Sequence, residues 1–160
     1  METWMRRIHL VTVIGIGSIA AITWAVAPDS PVANAAMVRD VETVRSLIAA
    51  GADVDAAQGD GLTALHWAAK NGDVETTAVL IAAGADLAAI TRIDSHTPLH
   101  IASSAGNGAV VATLLAAGSD PNAMTTTGVT PLHLSAASGD IEGSGWVSSG
   151  AQPPVQVSVP

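Results

Sequence analysis

At 160 residues the chain has the length of one domain. Apolar residues make up 49% but aromatics only 2%, with neither Phe nor Tyr, so a large aromatic-filled core is excluded and thin, closely packed helices rich in Ala, Val, Leu and Ile are indicated. A formal charge of −8 repels phosphate backbones, which excludes nucleic acid as a partner and favours solubility and a basic partner; the absence of cysteine removes disulfides, thiolate nucleophiles and cysteine-based zinc sites.

The first element in chain order is a targeting segment. Residues 1–7 end in the basic pair Arg6-Arg7, and Ile8–Ala27 then runs for 20 residues without Asp, Glu, Lys or Arg. A positive start followed by an apolar stretch has the pattern of a signal peptide, and the stretch is also long enough to span a bilayer as a helix. The basic pair keeps the N-terminus inside and sends the remainder across the membrane. Ala25-Val26-Ala27 offers an A-x-A cleavage site, although Pro28 follows it directly, and Thr23-Trp24-Ala25 offers another. Residues 1–27 are therefore a signal peptide or a membrane anchor. Cleavage would give a periplasmic or extracellular protein. Without it the protein would be anchored through residues 8–27 and face the non-cytoplasmic side. Gly15-Ile16-Gly17-Ser18-Ile19-Ala20 matches a dinucleotide fingerprint by chance, because neither a preceding strand nor a βαβ unit frames it.

Beyond Ala27 the chain holds 4 basic and 13 acidic residues, a net of −9, and it repeats. Asp60-Gly61-Leu62-Thr63-Ala64-Leu65-His66-Trp67-Ala68-Ala69 recurs as Asp94-Ser95-His96-Thr97-Pro98-Leu99-His100-Ile101-Ala102-Ser103, and again as Thr127-Gly128-Val129-Thr130-Pro131-Leu132-His133-Leu134-Ser135-Ala136. A second motif keeps step with it: Leu47-Ile48-Ala49-Ala50-Gly51-Ala52-Asp53, Leu80-Ile81-Ala82-Ala83-Gly84-Ala85-Asp86 and Leu114-Leu115-Ala116-Ala117-Gly118-Ser119-Asp120. The threonines at 63, 97 and 130 set periods of 34 and 33 residues. Two motifs in phase at this period resemble the ankyrin-repeat family, in particular bacterial-type exported members. A degenerate first repeat begins at Asp29, with Ala33 in place of the histidine and Arg39 where later repeats have Gly72, Gly106 and Gly139.

The resemblance implies an all-α fold, an ankyrin-repeat solenoid of helix-turn-helix units preceded by an N-terminal hydrophobic signal or anchor helix. The repeats span 29–142, as 29–58, 59–91, 92–125 and a partial 126–142. Within a repeat, Thr63 caps the first helix and Gly72 ends it, while Asp73 and Glu75 favour the start of the second and Gly84 supplies its left-handed end. After Glu142 a further helix is due, but Gly143 and Gly145 oppose it and Pro153-Pro154 forbid its continuation, so 143–160 reads as a disordered tail. That leaves Val110, Val111, Leu114 and Leu115 partly uncovered.

His66, His100 and His133 could suggest a metal site, but equivalent positions in stacked repeats lie roughly 8–10 Å apart, too far for one ion. The resemblance makes them structural, bonded to the threonine and the loop backbone. Neither a nucleophile–base constellation nor a cofactor motif stands out, so no enzyme activity, catalytic residue, metal or cofactor is assigned. The family binds proteins through loop tips and first helices on a concave face. Positions matching that face are Asp60, Leu62, Lys70 and Asn71 in the second repeat, Asp94, His96 and Ser104 in the third, and Thr127, Val129 and Ser138 in the fourth. The resemblance thus implies an exported protein–protein interaction module of unknown partner. The alternative is a membrane-anchored structural or accessory protein without a ligand of its own.

Overall fold

A computed structural model describes residues 30–149. The export segment 8–27 and the end of the tail, 150–160, lie outside the described residues. Eight helices are described: α1 Pro31–Met37, α2 Val41–Ala49, α3 Ala64–Asn71, α4 Val74–Ala82, α5 Pro98–Ser104, α6 Gly108–Ala116, α7 Pro131–Ser138 and α8 Ile141–Ser149. They form four antiparallel pairs. The first helices stack in one layer, α1 on α3 on α5 on α7, and the second helices in another, α2 on α4 on α6 on α8.

Composition dictates how the layers close. Ala64, Ala68, Ala69 and Ala102 are fully buried in the first layer, where small side chains let helix axes approach. Leu65, Leu80, Leu99 and Leu114 are also fully buried and bridge the layers, each contributing about 2 kcal/mol of burial. Single repeats cannot cover these side chains, so stability is shared between neighbours. Val79 and Ile81 are only half-buried, leaving Leu80 as the main anchor of α4.

The turns between paired helices need a left-handed residue. Gly72 takes φ +69° and Gly139 φ +75° there. Arg39 occupies the same place at φ +61°, a conformation that costs a non-glycine residue about 1 kcal/mol. Its guanidinium donates to the Asn71 carbonyl of the next repeat, a bond that offsets the cost and that glycine could not make. Further ties run backwards along the stack. The Asn71 amide donates to the Ala36 and Met37 carbonyls (3.1 and 3.2 Å), Asn107 to Ala69 and Lys70 (2.8 and 3.1 Å), and the Ser138 hydroxyl to Ser103 (3.0 Å). Each tie lands on carbonyls in the last turn of the preceding first-layer helix, where the regular helical partners run out.

The structure corrects the sequence reading of the C-terminal end. The fourth repeat has both helices, and residues 143–149 are helical rather than disordered. Two interior glycines cost about 1 kcal/mol each. Against that, α8 packs on α6, buries Val147 and leaves Val110, Val111 and Leu114 with no exposed surface, a gain of several times about 2 kcal/mol. Gly143 is also required by its surroundings, whereas a side chain on Gly145 would meet open space. Asp140 starts the helix by accepting the Gly143 N–H at 2.9 Å, and its carboxylate occupies the space a Gly143 side chain would need. A side chain on Gly108 would begin 3.3 Å from both oxygens of the same carboxylate and 3.5 Å from the Gly143 nitrogen, so α6 meets the start of α8 closely.

Candidate functional site

Each helix pair is joined to the next by a loop whose tip projects beside the first layer. The tips are small hairpins closed by one bond: Gln58 N–H to Leu62 carbonyl (2.9 Å), Thr91 to His96 (3.0 Å) and Thr125 to Val129 (2.9 Å). Neighbouring tips are stitched together by the Arg92 N–H to the Asp60 carbonyl (2.9 Å) and the Thr126 N–H to the Asp94 carbonyl (3.2 Å).

The histidines couple helix starts to these hairpins. His66 Nδ1 lies 2.9 Å from Thr63 Oγ1 and 3.2 Å from the Thr63 N–H. Its Nε2 lies 3.0 Å from the His96 carbonyl of the next tip. A carbonyl only accepts, so Nε2 carries the proton and Nδ1 accepts from the threonine. His100 repeats the arrangement with Thr97 and the Val129 carbonyl, at 2.8 and 3.2 Å. His133 holds Thr130 at 2.8 Å, and among the described residues no further tip follows for it to reach. In the first repeat, Ala33 replaces the histidine. Asn34 there accepts from the Gln58 amide (2.7 Å), and Gln58 in turn accepts from the Trp67 indole (2.9 Å).

Burial disfavours the charged form of these rings. His66 and His100 are fully buried, and desolvation holds both below the usual histidine range, partly opposed by the carbonyls that accept from them. Among the described residues, no group of three His, Asp or Glu side chains is placed to share a metal ion.

Compared with known families, residues 32–125 match ankyrin repeats, in three copies, over more than half of the chain. The chain belongs to the ankyrin-repeat family. No curated protein matches it. The ankyrin repeat is a non-catalytic binding fold, and such repeats in general are protein–protein interaction modules.

Within this ankyrin stack, the ten positions singled out from sequence separate into two groups. Asn71 and Ser138 are committed to the ties between repeats, so their polar groups are occupied within the fold. The other eight remain at the surface. Asp60, Lys70, Asp94, Ser104 and Thr127 are exposed, and Leu62, His96 and Val129 are half-buried. Asp60, Leu62, Asp94 and His96 come together with Thr91 and Ile93 around a pocket of about 240 Å³ between the tips of the second and third repeats, 58–62 and 91–96. A second pocket, of about 340 Å³, lies between the loops that carry the 91–96 and 125–129 tips and includes Leu87, Ile90 and Met124.

Sequence reasoning missed the residue that follows each histidine. Trp67, Ile101 and Leu134 are half-buried apolar side chains at one repeat position, and Lys70 lies over the Trp67 ring at 4.8 Å. It also missed Ile93, which is 71% exposed. The signal was the period. The 91–96 hairpin is one residue longer than its neighbours, which accounts for the spacing of 34 from Thr63 to Thr97. The longer turn places Asp94 and Ser95 at φ +62° and +55° and leaves Ile93 outside the core.

The histidine network gives stability a pH dependence. A folded-state pKa below the unfolded value means that the unfolded chain binds more protons, so stability is complete above about pH 6.5 and declines as pH falls towards the folded values. The urea midpoint should therefore drop between about pH 7 and about pH 5, above the ordinary pKa values of Asp and Glu, about 3.9 and about 4.3. A midpoint that stays flat across that window would contradict the neutral, Nε2-protonated assignment.

Proposed function

We propose that this chain is a protein-binding module that engages its partner through the loop tips and the exposed side of α3, α5 and α7, and that it works outside the cytoplasm. The observation that carries the binding reading is a division of labour along the repeats. Thr, His, Ala and Leu at the repeating positions are consumed by caps, ties and core. Leu62, Trp67, Lys70, Ile93, Ile101 and Val129 retain accessible surface on the loop side. Half-buried aromatic and apolar groups on a rigid frame, rimmed by charge, are what protein interfaces use as anchors. The export reading rests on the sequence alone: Arg6, Arg7 and the uncharged run Ile8–Ala27. Retention of that run would tether the same module to the membrane.

A photo-crosslinking amino acid at Leu62, Lys70, Ser104 or Val129 should trap one common partner. The same probe at Ala49, Ala82 or Ala116, exposed on α2, α4 and α6, should not. Trapping only from the second-helix layer would move the interface to the opposite side. For export, residues 1–35 fused to a reporter active only outside the cytoplasm should give signal, and substitution of Arg6 and Arg7 by Glu should abolish it. A silent wild-type fusion would refute export.

A further inference from the structure

We propose that the pocket between the 58–62 and 91–96 tips receives a cationic side chain, Lys or Arg, from the protein partner; this rests on the loop face being the binding surface. The walls combine two chemistries. Leu62 and the protruding Ile93 supply apolar surface, while Asp60 and Asp94 supply carboxylates. Asp60 uses Oδ1 to accept the Leu62 N–H at 3.0 Å, and neither aspartate forms an ion pair within the described residues. Arg92 is the cation nearest in sequence. Its backbone nitrogen lies 2.7 Å and its Cγ 3.2 Å from where a Gly61 side chain would begin, and its guanidinium forms no ion pair with either carboxylate.

A long apolar stem ending in a positive charge fits such a pocket, because Lys and Arg lay their methylenes on apolar surface while the head finds an acceptor. An apolar or acidic side chain would instead strand or repel two carboxylates. Among the described residues the pairing exists at one place in the stack. In the fourth repeat Thr127 replaces the aspartate, and its hydroxyl is engaged with Thr125 at 3.0 Å. The pocket therefore selects a register along the groove as well as a charge. The acidic balance of the chain beyond Ala27 adds a longer-range pull on a basic partner.

The test pans a phage-displayed random peptide library against the purified full-length chain and compares it with the double variant D60N/D94N. Asn keeps the loop bond at position 60 and tolerates positive φ at 94, so the hairpins are preserved. Selected peptides should share a Lys or Arg beside apolar residues. The best of them should bind the double variant about tenfold more weakly or worse, with unchanged circular dichroism, and should lose most of its salt dependence there. Peptides that lack a basic residue, or that bind both proteins equally while Leu62→Ser or Val129→Ser weakens them, would overturn the inference and leave the binding module standing. Failure to select any peptide would count against both.

Discussion

One interaction organises this molecule: the imidazole that accepts from its own repeat's threonine and donates to the next repeat's loop carbonyl. Each bond in it contributes about 1 kcal/mol net, little for a single link. Its importance lies in what it joins. The threonine starts the first helix, the carbonyl closes the next hairpin, and the ring is buried between them, so the angle of one repeat on its neighbour follows from the chemistry of one side chain. The alanine-rich first layer, the leucine bridges and the backward ties from Asn71, Asn107 and Ser138 all presuppose that spacing.

The stack varies this link at its ends. At the N-terminal end Ala33 cannot make it, and an Asn34–Gln58–Trp67 chain of side-chain bonds substitutes. At the C-terminal end of the described residues His133 keeps its threonine, no further tip follows among them, and closure passes to α8. That helix is the plainest example of packing overriding propensity. Gly143 reads as a breaker in one dimension and, in three, leaves room for the Asp140 carboxylate that starts the helix.

Much of the architecture was legible because the repeat period carries it. Two motifs in phase located the helix pairs and the buried histidines, and they located the left-handed turn at Arg39, where glycine is the usual choice. What was not legible depends on contacts across repeats. Asn71 and Ser138 were candidates for binding until their polar atoms were found on the preceding helix. Trp67 and Ile101 carry no separate signal in the sequence, and only the stacking shows that they keep surface. The extra residue at 91–96 was visible as a spacing of 34, but its effect, an exposed Ile93 beside two carboxylates, required the geometry of the turn.

The same geometry separates structure from function along the chain. Repeating residues hold the frame, and departures from the repeat occupy the loop face. If the imidazole link sets the frame, removing one histidine should loosen the hairpin ahead of it and leave the others closed. Amide hydrogen exchange on His66→Ala and His100→Ala measures this directly. The Thr91 N–H, which shares the His96 carbonyl with His66, should lose protection by about tenfold or more in the first variant, and the Thr125 N–H, which shares the Val129 carbonyl with His100, in the second. Equal loss at both amides in both variants, or no loss at either, would contradict a repeat-by-repeat link.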